Sequence, residues 1–176
     1  MKKEHTTKEL VEMADKYLAH NYSYPKNVVF ERGNGCWVYD LEGKGYLDML
    51  SCYSASNLGH NHRDIWNAIG RQCGNGLIAF PRSFLNKELV LFAKELAEFC
   101  KMDMVLPMNT GAEAVETALK ICRKWAYEVK GIDENEAEII VCKNNFHGRS
   151  IGAVDASTDE ESRVGFGPFG PKHAFI

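Results

Sequence analysis

Small and polar residues gather where a short apolar run gives way to a long amphipathic stretch, in the segment "PMNTGAEAVETALK" (residues 107–120). Thr110 and Glu113 have the spacing of a capping box, in which an N-cap side chain and the third helical residue bind each other's backbone N–H groups. Capping does not explain why Gly111 and Ala112 are small, because most residues fit the first helical turn and glycine is a poor choice there. Two interpretations therefore stand. The cluster only caps a helix, or its small residues also let an anion such as phosphate reach the free N–H groups.

A second polar cluster, "NNFHGRS" (residues 144–150), follows another apolar run. Phe146 could lie flat on an aromatic ring, and Arg149 offers a planar fork of donors to a carboxylate. Ligands of open α/β sheets gather at the carboxyl ends of the strands, where both clusters are expected. The alternative is a surface turn that carries a solvated arginine.

The elements that would position these clusters follow from the hydrophobic pattern. The runs "DMVLPM" (residues 103–108) and "EIIVCK" (residues 138–143) predict buried strands, and Gly111 to Lys130 predicts a helix between them. This β-α-β order predicts parallel strands in an α/β layer fold, and Ala174 to Ile176 resemble the opening of another strand. One apolar stripe on the helix is predicted to face the core: Ala114, Ala118, Ile121, Cys122, Trp125 and Val129.

The amino-terminal part of the chain has a different pattern. A short amphipathic helix is predicted from Lys8 to Leu18. Residues 28–50 predict a three-stranded antiparallel meander with turns at Gly33-Asn34-Gly35 and Glu42 to Gly45. Helices are then predicted at "RDIWNAIGRQC" and "NKELVLFAKELAEFC". We therefore divide the chain into a segment 1–58 with the helix and meander, and a segment 59–176 that begins a larger domain.

Composition limits the possible functions. The chain has 176 residues, 45% hydrophobic and 26% charged, as expected for a globular protein, and its net charge of −3 gives no attraction for nucleic acid or an anionic membrane. Its six cysteines form no Cys-x-x-Cys pair, so free thiols are expected. No secretion signal is apparent, and we expect a cytoplasmic location. His60 and His62 in "GHNH" have no accompanying ligand cluster, so no metal site is expected.

Four segments together resemble one family: "MNTGAEAVETALKICRKWAY", "NNFHGRS", "HNYSYP" and "GFGPFGP". They resemble the class III aminotransferases that use pyridoxal phosphate. The resemblance extends from about Tyr17 to the end of the chain. Members acting on acetylornithine or 4-aminobutyrate share single motifs, but "PMNTGAEA" with "RKWAY" and an early "HNY" favours the members acting on ornithine. The resemblance implies a type I fold of pyridoxal enzymes, with the meander in a small domain and the β-α-β unit opening the large cofactor domain.

The resemblance also implies roles for individual residues. Gly111 and Ala112 would give N–H groups to the cofactor phosphate, and Phe146 would stack on the pyridine ring. The implied cofactor-binding residues are Thr110, Gly111, Ala112, Phe146 and His147. Tyr22 and Tyr53 would line the substrate pocket, Tyr22 near the α-amino end of ornithine, and Arg149 would hold a substrate carboxylate.

The implied reaction transfers the δ-amino group of ornithine to 2-oxoglutarate in a homodimer and gives glutamate semialdehyde and glutamate. The family places the Schiff-base lysine, and the carboxylate that holds the pyridine nitrogen, downstream of these motifs. We therefore expect no catalytic residue within this chain, which would be roughly the amino-terminal two fifths of an enzyme and inactive alone. The alternatives are an acetylornithine or 4-aminobutyrate aminotransferase fragment, or a non-catalytic assembly fragment.

Overall fold

The structure is a computed structural model that describes residues 5–170 and 173–176. The chain forms two compact units, of which the first ends at Phe84 and the second runs from Leu85 to Ile176. The predicted domain division between residues 58 and 59 stays a prediction, because compact units within this chain need not coincide with the domains of a whole enzyme.

The first unit begins with helix α1 (Thr7–Tyr17), which confirms the predicted amphipathic helix. A capping box between Thr6 and Glu9 fixes its start. Strands β1 (Phe30–Asn34), β2 (Trp37–Asp40) and β3 (Gly45–Leu47) follow. They form one antiparallel sheet in the order β1-β2-β3, which confirms the predicted meander.

The first turn of the meander lies farther along the chain than predicted. Asn34 pairs with Trp37, so β1 continues through Gly33 and Asn34, and the turn is made by Gly35 and Cys36. Gly35 has a φ of 57°, a left-handed conformation that glycine adopts without cost. The second predicted turn is confirmed between β2 and β3.

Two predicted helices are confirmed with nearly the expected bounds. Helix α2 (Arg63–Asn75) belongs to the first unit and ends at Gly76, which has a φ of 72°. Helix α3 (Lys87–Cys100) belongs to the second unit, and the side chain of Asn86 caps its amino terminus.

The second unit continues with α4 (Gly111–Glu128), β4 (Ile139–Val141), α5 (Ile151–Asp155), α6 (Glu160–Arg163) and β5 (His173–Phe175). Strands β4 and β5 are parallel, with Ile139 opposite His173 and Val141 opposite Phe175. The predicted strands at 138–143 and at the end of the chain are confirmed. The connection between them contains α5 and α6, which the sequence pattern did not predict.

The predicted strand at residues 103–108 is wrong. Within the described residues this segment has no regular secondary structure, and Met104 and Leu106 are 89% and 53% exposed. A strand exists only through hydrogen bonds to a neighbouring strand, and no described strand lies beside this segment. The observed parallel pair is therefore β4 and β5, and α4 does not connect two paired strands.

The core of the second unit centres on α5 and β4, where Val141, Ala153, Val154 and Ala156 are buried. The apolar stripe predicted to face the core from α4 is instead exposed. Its residues Ile121, Trp125 and Val129 are 53%, 50% and 69% accessible to solvent. Within the described chain the prediction that this stripe faces the core is therefore wrong.

Candidate functional site

The capping box at the start of α4 is confirmed. The N–H of Glu113 donates to Oγ1 of Thr110 at 3.1 Å, and the N–H of Thr110 donates to Oε2 of Glu113 at 3.2 Å. The same carboxylate oxygen accepts from the N–H of Asn109 at 2.9 Å. The first helical hydrogen bond then runs from Ala114 to the carbonyl oxygen of Thr110. The polar residues of this junction therefore satisfy one another.

Two backbone donors at the junction receive no acceptor from the described residues. These are the N–H groups of Gly111 and Ala112, the first two residues of the 18-residue helix. A side-chain carbon added at Gly111 would meet nothing within 4 Å, so the space beside the backbone is open. The donors lie at the positive end of the helix dipole, which favours an anion. The capping interpretation is therefore confirmed, and the phosphate-binding interpretation stays a prediction for which two donors are available.

The loop that carries Phe146 lies against this helix terminus. Gly148 has a φ of 129°, and a side-chain carbon added there would lie 3.4 Å from Cβ of Ala112 and 3.3 Å from Cβ of Ala153. The two clusters are therefore brought together, as the sequence analysis predicted. The contact is direct packing of Gly148 on Ala112, since the strand expected before α4 is absent.

Two adjacent asparagines hold the loop in place. The Nδ2 of Asn145 donates to the carbonyl oxygen of Ala156 at 2.8 Å and also to that of Cys142. The N–H of Asn144 donates to the hydroxyl of Thr158 at 2.8 Å, with Asn144 at a φ of 56°. The sequence analysis missed these roles. The Asn-Asn pair in the sequence could have indicated them, because asparagine tolerates left-handed conformations and bonds to nearby backbone.

A second link joins the loop to α4. The hydroxyl of Ser150, the N-cap of α5, donates to Oε1 of Glu116 at 2.6 Å. A side-chain carbon at Gly152 would lie 2.6 and 2.7 Å from the two oxygens of Glu116, so a larger residue there would displace the Glu116 carboxylate. Nothing in the sequence pattern indicates this pairing, which joins residues 34 positions apart.

The predicted cofactor-stacking residues lie on this loop. Phe146 is 71% exposed, so a face of its ring is accessible. The Nδ1 atom of the half-buried His147 has no hydrogen-bond partner among the described residues. Buried polar atoms are nearly always paired, so this nitrogen is available to a polar partner.

Arg149, the predicted carboxylate ligand, is exposed on the same loop. The pKa of Asp159 lies below its ordinary value mainly because the Ser162 hydroxyl donates to it, and the guanidinium of Arg149 adds a smaller attraction. The positive charge of Arg149 is therefore held near Asp159 on the surface of the second unit.

The two predicted substrate-binding tyrosines belong to the first unit. Tyr22 is 57% exposed and lines a cavity of about 190 Å³ together with Asp15, Tyr24 and Lys26. Lys26 and Tyr24 each donate to Asp15 at 2.8 Å, and these bonds hold the pKa of Asp15 below its ordinary value. Tyr53 is 81% exposed in a left-handed turn. Both tyrosines therefore present accessible rings, and their substrate roles stay predictions.

The described part of the chain contains no group of three or more side chains suited to hold a metal ion. No helix in it is long and apolar enough to cross a bilayer. All six cysteines are free, as expected.

Comparison with known proteins defines the class first. The profile of the family described as Aminotransferase class-III matches residues 17–176, and the chain belongs to this family. The fold agrees, because the ornithine aminotransferase of Toxoplasma gondii ME49 superposes with a TM-score of 0.93 at 40% identity. That match covers 99% of this chain and 41% of the Toxoplasma chain.

Similar proteins within this family include ornithine and acetylornithine aminotransferases. An ornithine aminotransferase of Geobacillus sp. (strain WCH70) is 50% identical over 165 residues, which are 94% of this chain and 41% of the relative. That of Brevibacillus brevis is 50% identical over 170 residues, 97% of this chain and 42% of the relative. A solved acetylornithine aminotransferase of Elizabethkingia anophelis is 46% identical with a TM-score of 0.80, over 98% of this chain and 41% of its own. The chain thus spans about two fifths of the length of these relatives.

Class III aminotransferases use pyridoxal phosphate, and the residues present fit this group. The N–H groups of Gly111 and Ala112 suit the phosphate, and the space beside Gly111 is open. Phe146 offers an accessible ring face, and the unpaired nitrogen of His147 lies in the same loop.

Proposed function

We propose that this chain is the amino-terminal part of an ornithine δ-aminotransferase, which transfers the δ-amino group of ornithine to 2-oxoglutarate and gives glutamate semialdehyde and glutamate. The observation that carries the proposal is the packing of Gly148 on Ala112, which places the Phe146 loop beside the two unpaired N–H groups of α4. The similarity to ornithine aminotransferases along nearly the whole chain supports the choice of substrate.

Pyridoxal phosphate, when bound, supplies the electron sink for the amino transfer. Gly111 and Ala112 would bind its phosphate through their N–H groups at the positive end of α4. The Thr110 oxygen already accepts the N–H of Glu113, which leaves its hydroxyl hydrogen free to donate to the phosphate as well. These consecutive residues would therefore offer three donors to the phosphate.

The loop residues position the ring and the substrate. Phe146 would cover one face of the cofactor ring, and the Nδ1 of His147 would be available to a polar partner in the same loop. Arg149 binds a substrate carboxylate, for which its planar fork is suited. Tyr22 and Tyr53 line the substrate pocket, Tyr22 near the α-amino end of ornithine.

The remaining parts of the machinery come from outside this chain in our proposal. The cofactor-bearing lysine and the carboxylate that holds the pyridine nitrogen belong to the rest of the enzyme. We also propose a homodimer, because the resemblance to class III aminotransferases implies one. A cytoplasmic location stays a prediction.

The cofactor part of the proposal is tested at Gly111 in the complete enzyme. Gly111→Pro removes one N–H, and proline suits the first helical position after the extended Thr110. Gly111→Ala keeps the N–H and adds only a carbon, so it separates the effect of the added atom from that of the lost N–H. We expect the dissociation constant for pyridoxal phosphate to be about 10- to 100-fold higher in Gly111→Pro than in Gly111→Ala, as for a lost hydrogen bond to a charged group. Equal affinity in both variants would show that the phosphate does not bind at this helix terminus.

The substrate part is tested by comparing amino donors with 2-oxoglutarate as acceptor. We expect the complete enzyme to have its highest kcat/KM with ornithine and to release glutamate semialdehyde. A preference for acetylornithine would establish the second candidate, which the 46% identity to an acetylornithine aminotransferase favours. Absence of transamination with ornithine, acetylornithine and 4-aminobutyrate would favour the non-catalytic alternative.

A further inference from the structure

The loop from Asp48 to His60 is fixed at both ends on the first turn of the meander. The N–H of Asp48 donates to the carbonyl oxygen of Cys36 at 2.8 Å. At the other end, His60 and Gly35 exchange two backbone hydrogen bonds of 2.7 and 2.9 Å. The loop is therefore closed on a rigid part of the sheet.

The side chains at the two ends also bind each other. Oδ2 of Asp48 lies 2.7 Å from Nε2 of His60, and both side chains are largely shielded from solvent. Oδ1 of Asp48 accepts from the N–H groups of Leu50 and Ser51 at 3.0 and 2.9 Å. One carboxylate thus joins the end of the loop to the start of the turn that follows β3.

That turn has an uncommon backbone. Ser51, Cys52, Tyr53 and Ser54 have φ values of 47°, 49°, 55° and 74°. Residues with a side chain rarely adopt this left-handed region, and then mostly singly. Four in succession persist only where the surrounding structure enforces them. The Asp48 carboxylate binds the N–H of Ser51, the first residue of this run, and that of Leu50 just before it.

The sheet is shaped to receive the His60 ring. A side-chain carbon added at Gly33 would lie 2.7 Å from Cγ and 2.8 Å from Cβ of His60. Gly59 has a φ of 83°, and an added carbon there would lie 2.9 Å from the carbonyl oxygen of Gly35. Two glycines are therefore needed to let His60 approach Asp48.

The strained turn presents Tyr53 outward, with 81% of the residue exposed. Packing within the unit does not account for this conformation, because the ring covers no core. We infer that Asp48 and His60 are positioning residues, which hold the turn so that Tyr53 faces the substrate. This inference rests on the proposed function, since it takes Tyr53 as part of the substrate pocket. It also assigns a role to His60 that needs no metal ion.

The experiment uses the complete enzyme and four variants. Asp48→Ala removes the carboxylate, whereas Asp48→Asn keeps an acceptor for the two N–H groups and a side-chain amide that donates to His60. Gly33→Ala displaces the His60 ring without changing either partner. Gly70→Ala is the matched control, because Gly70 lies on the exposed part of α2 with nothing within 4 Å of an added carbon.

Three quantities are measured for each variant: amide hydrogen exchange of residues 49–56, the KM for the amino donor, and the affinity for pyridoxal phosphate. In Asp48→Ala and Gly33→Ala we expect faster exchange and a KM about tenfold higher, the scale of a misplaced substrate contact. Cofactor affinity and kcat should change little. Asp48→Asn should restore the KM to near that of the parent, and Gly70→Ala should match the parent throughout.

A merely structural role would give a different result. Faster exchange with an unchanged KM overturns the inference, and so does a KM increase accompanied by an equal loss of cofactor affinity. If Asp48→Ala does not fold, Gly33→Ala and Asp48→Asn decide by the same criteria. A parent enzyme inactive with ornithine refutes the proposed donor, and the comparison is then made with the donor it accepts. Inactivity of the parent with every donor overturns both the proposed function and the inference.

Discussion

Gly148→Ala should separate the Phe146 loop from the start of α4. The backbone at a φ of 129° is strained for any residue with a side chain, which costs about 1–3 kcal/mol. The added carbon would lie 3.3 Å from Cβ of Ala153, which is 0% exposed and has no room to retreat. Overpacking of this kind adds about 1 kcal/mol. The total, about 2–4 kcal/mol, exceeds what one surface loop can absorb, so the loop should move away from Ala112.

The assay for this variant is the dissociation constant for pyridoxal phosphate in the complete enzyme, together with the melting temperature with and without cofactor. Cofactor binding would have to bring the displaced loop back to its strained position. We expect the affinity to fall at least about tenfold, because a cost of only 1.4 kcal/mol gives that factor. Gly70→Ala is the control, since it adds the same atom in open space. An affinity within twofold of the parent and an unchanged melting temperature would refute the argument that Gly148 packing assembles the site.

Three further predictions concern single residues. Arg149→Lys should lower kcat/KM for ornithine about 10- to 100-fold with little change in cofactor affinity, because lysine supplies charge without the planar fork. A selective loss of cofactor affinity would instead assign Arg149 to the phosphate. Thr110→Ala should destabilise the start of α4 by about 1 kcal/mol, measured by hydrogen exchange of the first helical turn, and unchanged exchange would contradict a capping role. The pKa of Asp48 is lowered by the N–H of Ser51 and by His60. Its contribution to the free energy of unfolding is therefore present above its ordinary pKa of 3.8 and is lost as the pH falls through the lower folded value. In urea titrations at a series of pH values, Asp48→Asn should reduce this loss of stability at acid pH. An unchanged loss would contradict the assignment.

Local patterns predicted those parts of the fold that local interactions determine. The start of α4 at Gly111 was predicted because Thr110 and Glu113 bind each other within one turn. The meander was predicted because its turns and alternating residues are neighbours in sequence. The strand at residues 103–108 was predicted wrongly, since a strand depends on a partner that the pattern cannot supply. Helices α5 and α6 were missed because they are 5 and 4 residues long, too short for a periodic signal.

The candidate site was likewise predicted only where local interactions determine it. The sequence analysis selected Gly111 and Ala112, and the structure leaves their two N–H groups without an acceptor among the described residues. It did not predict how the Phe146 loop reaches them. Gly148 and Glu116 act through contacts with residues far away in the sequence, and such contacts leave no spacing to recognise. The Asp48–His60 pair was missed for the same reason, although "GHNH" drew attention to His60.

The capping box at Thr110 has a consequence for the order in which the site assembles. Its hydrogen bonds join residues three or four positions apart, whereas the Ser150–Glu116 bond spans 34. Helical turns form within about 0.1–1 μs, while distant contacts wait for chain closure. During synthesis we therefore expect the turn that we propose binds phosphate to form before the Phe146 loop has left the ribosome. The anion end of the site would be the first part able to meet the cofactor, and closure of the loop would complete the ring pocket afterwards.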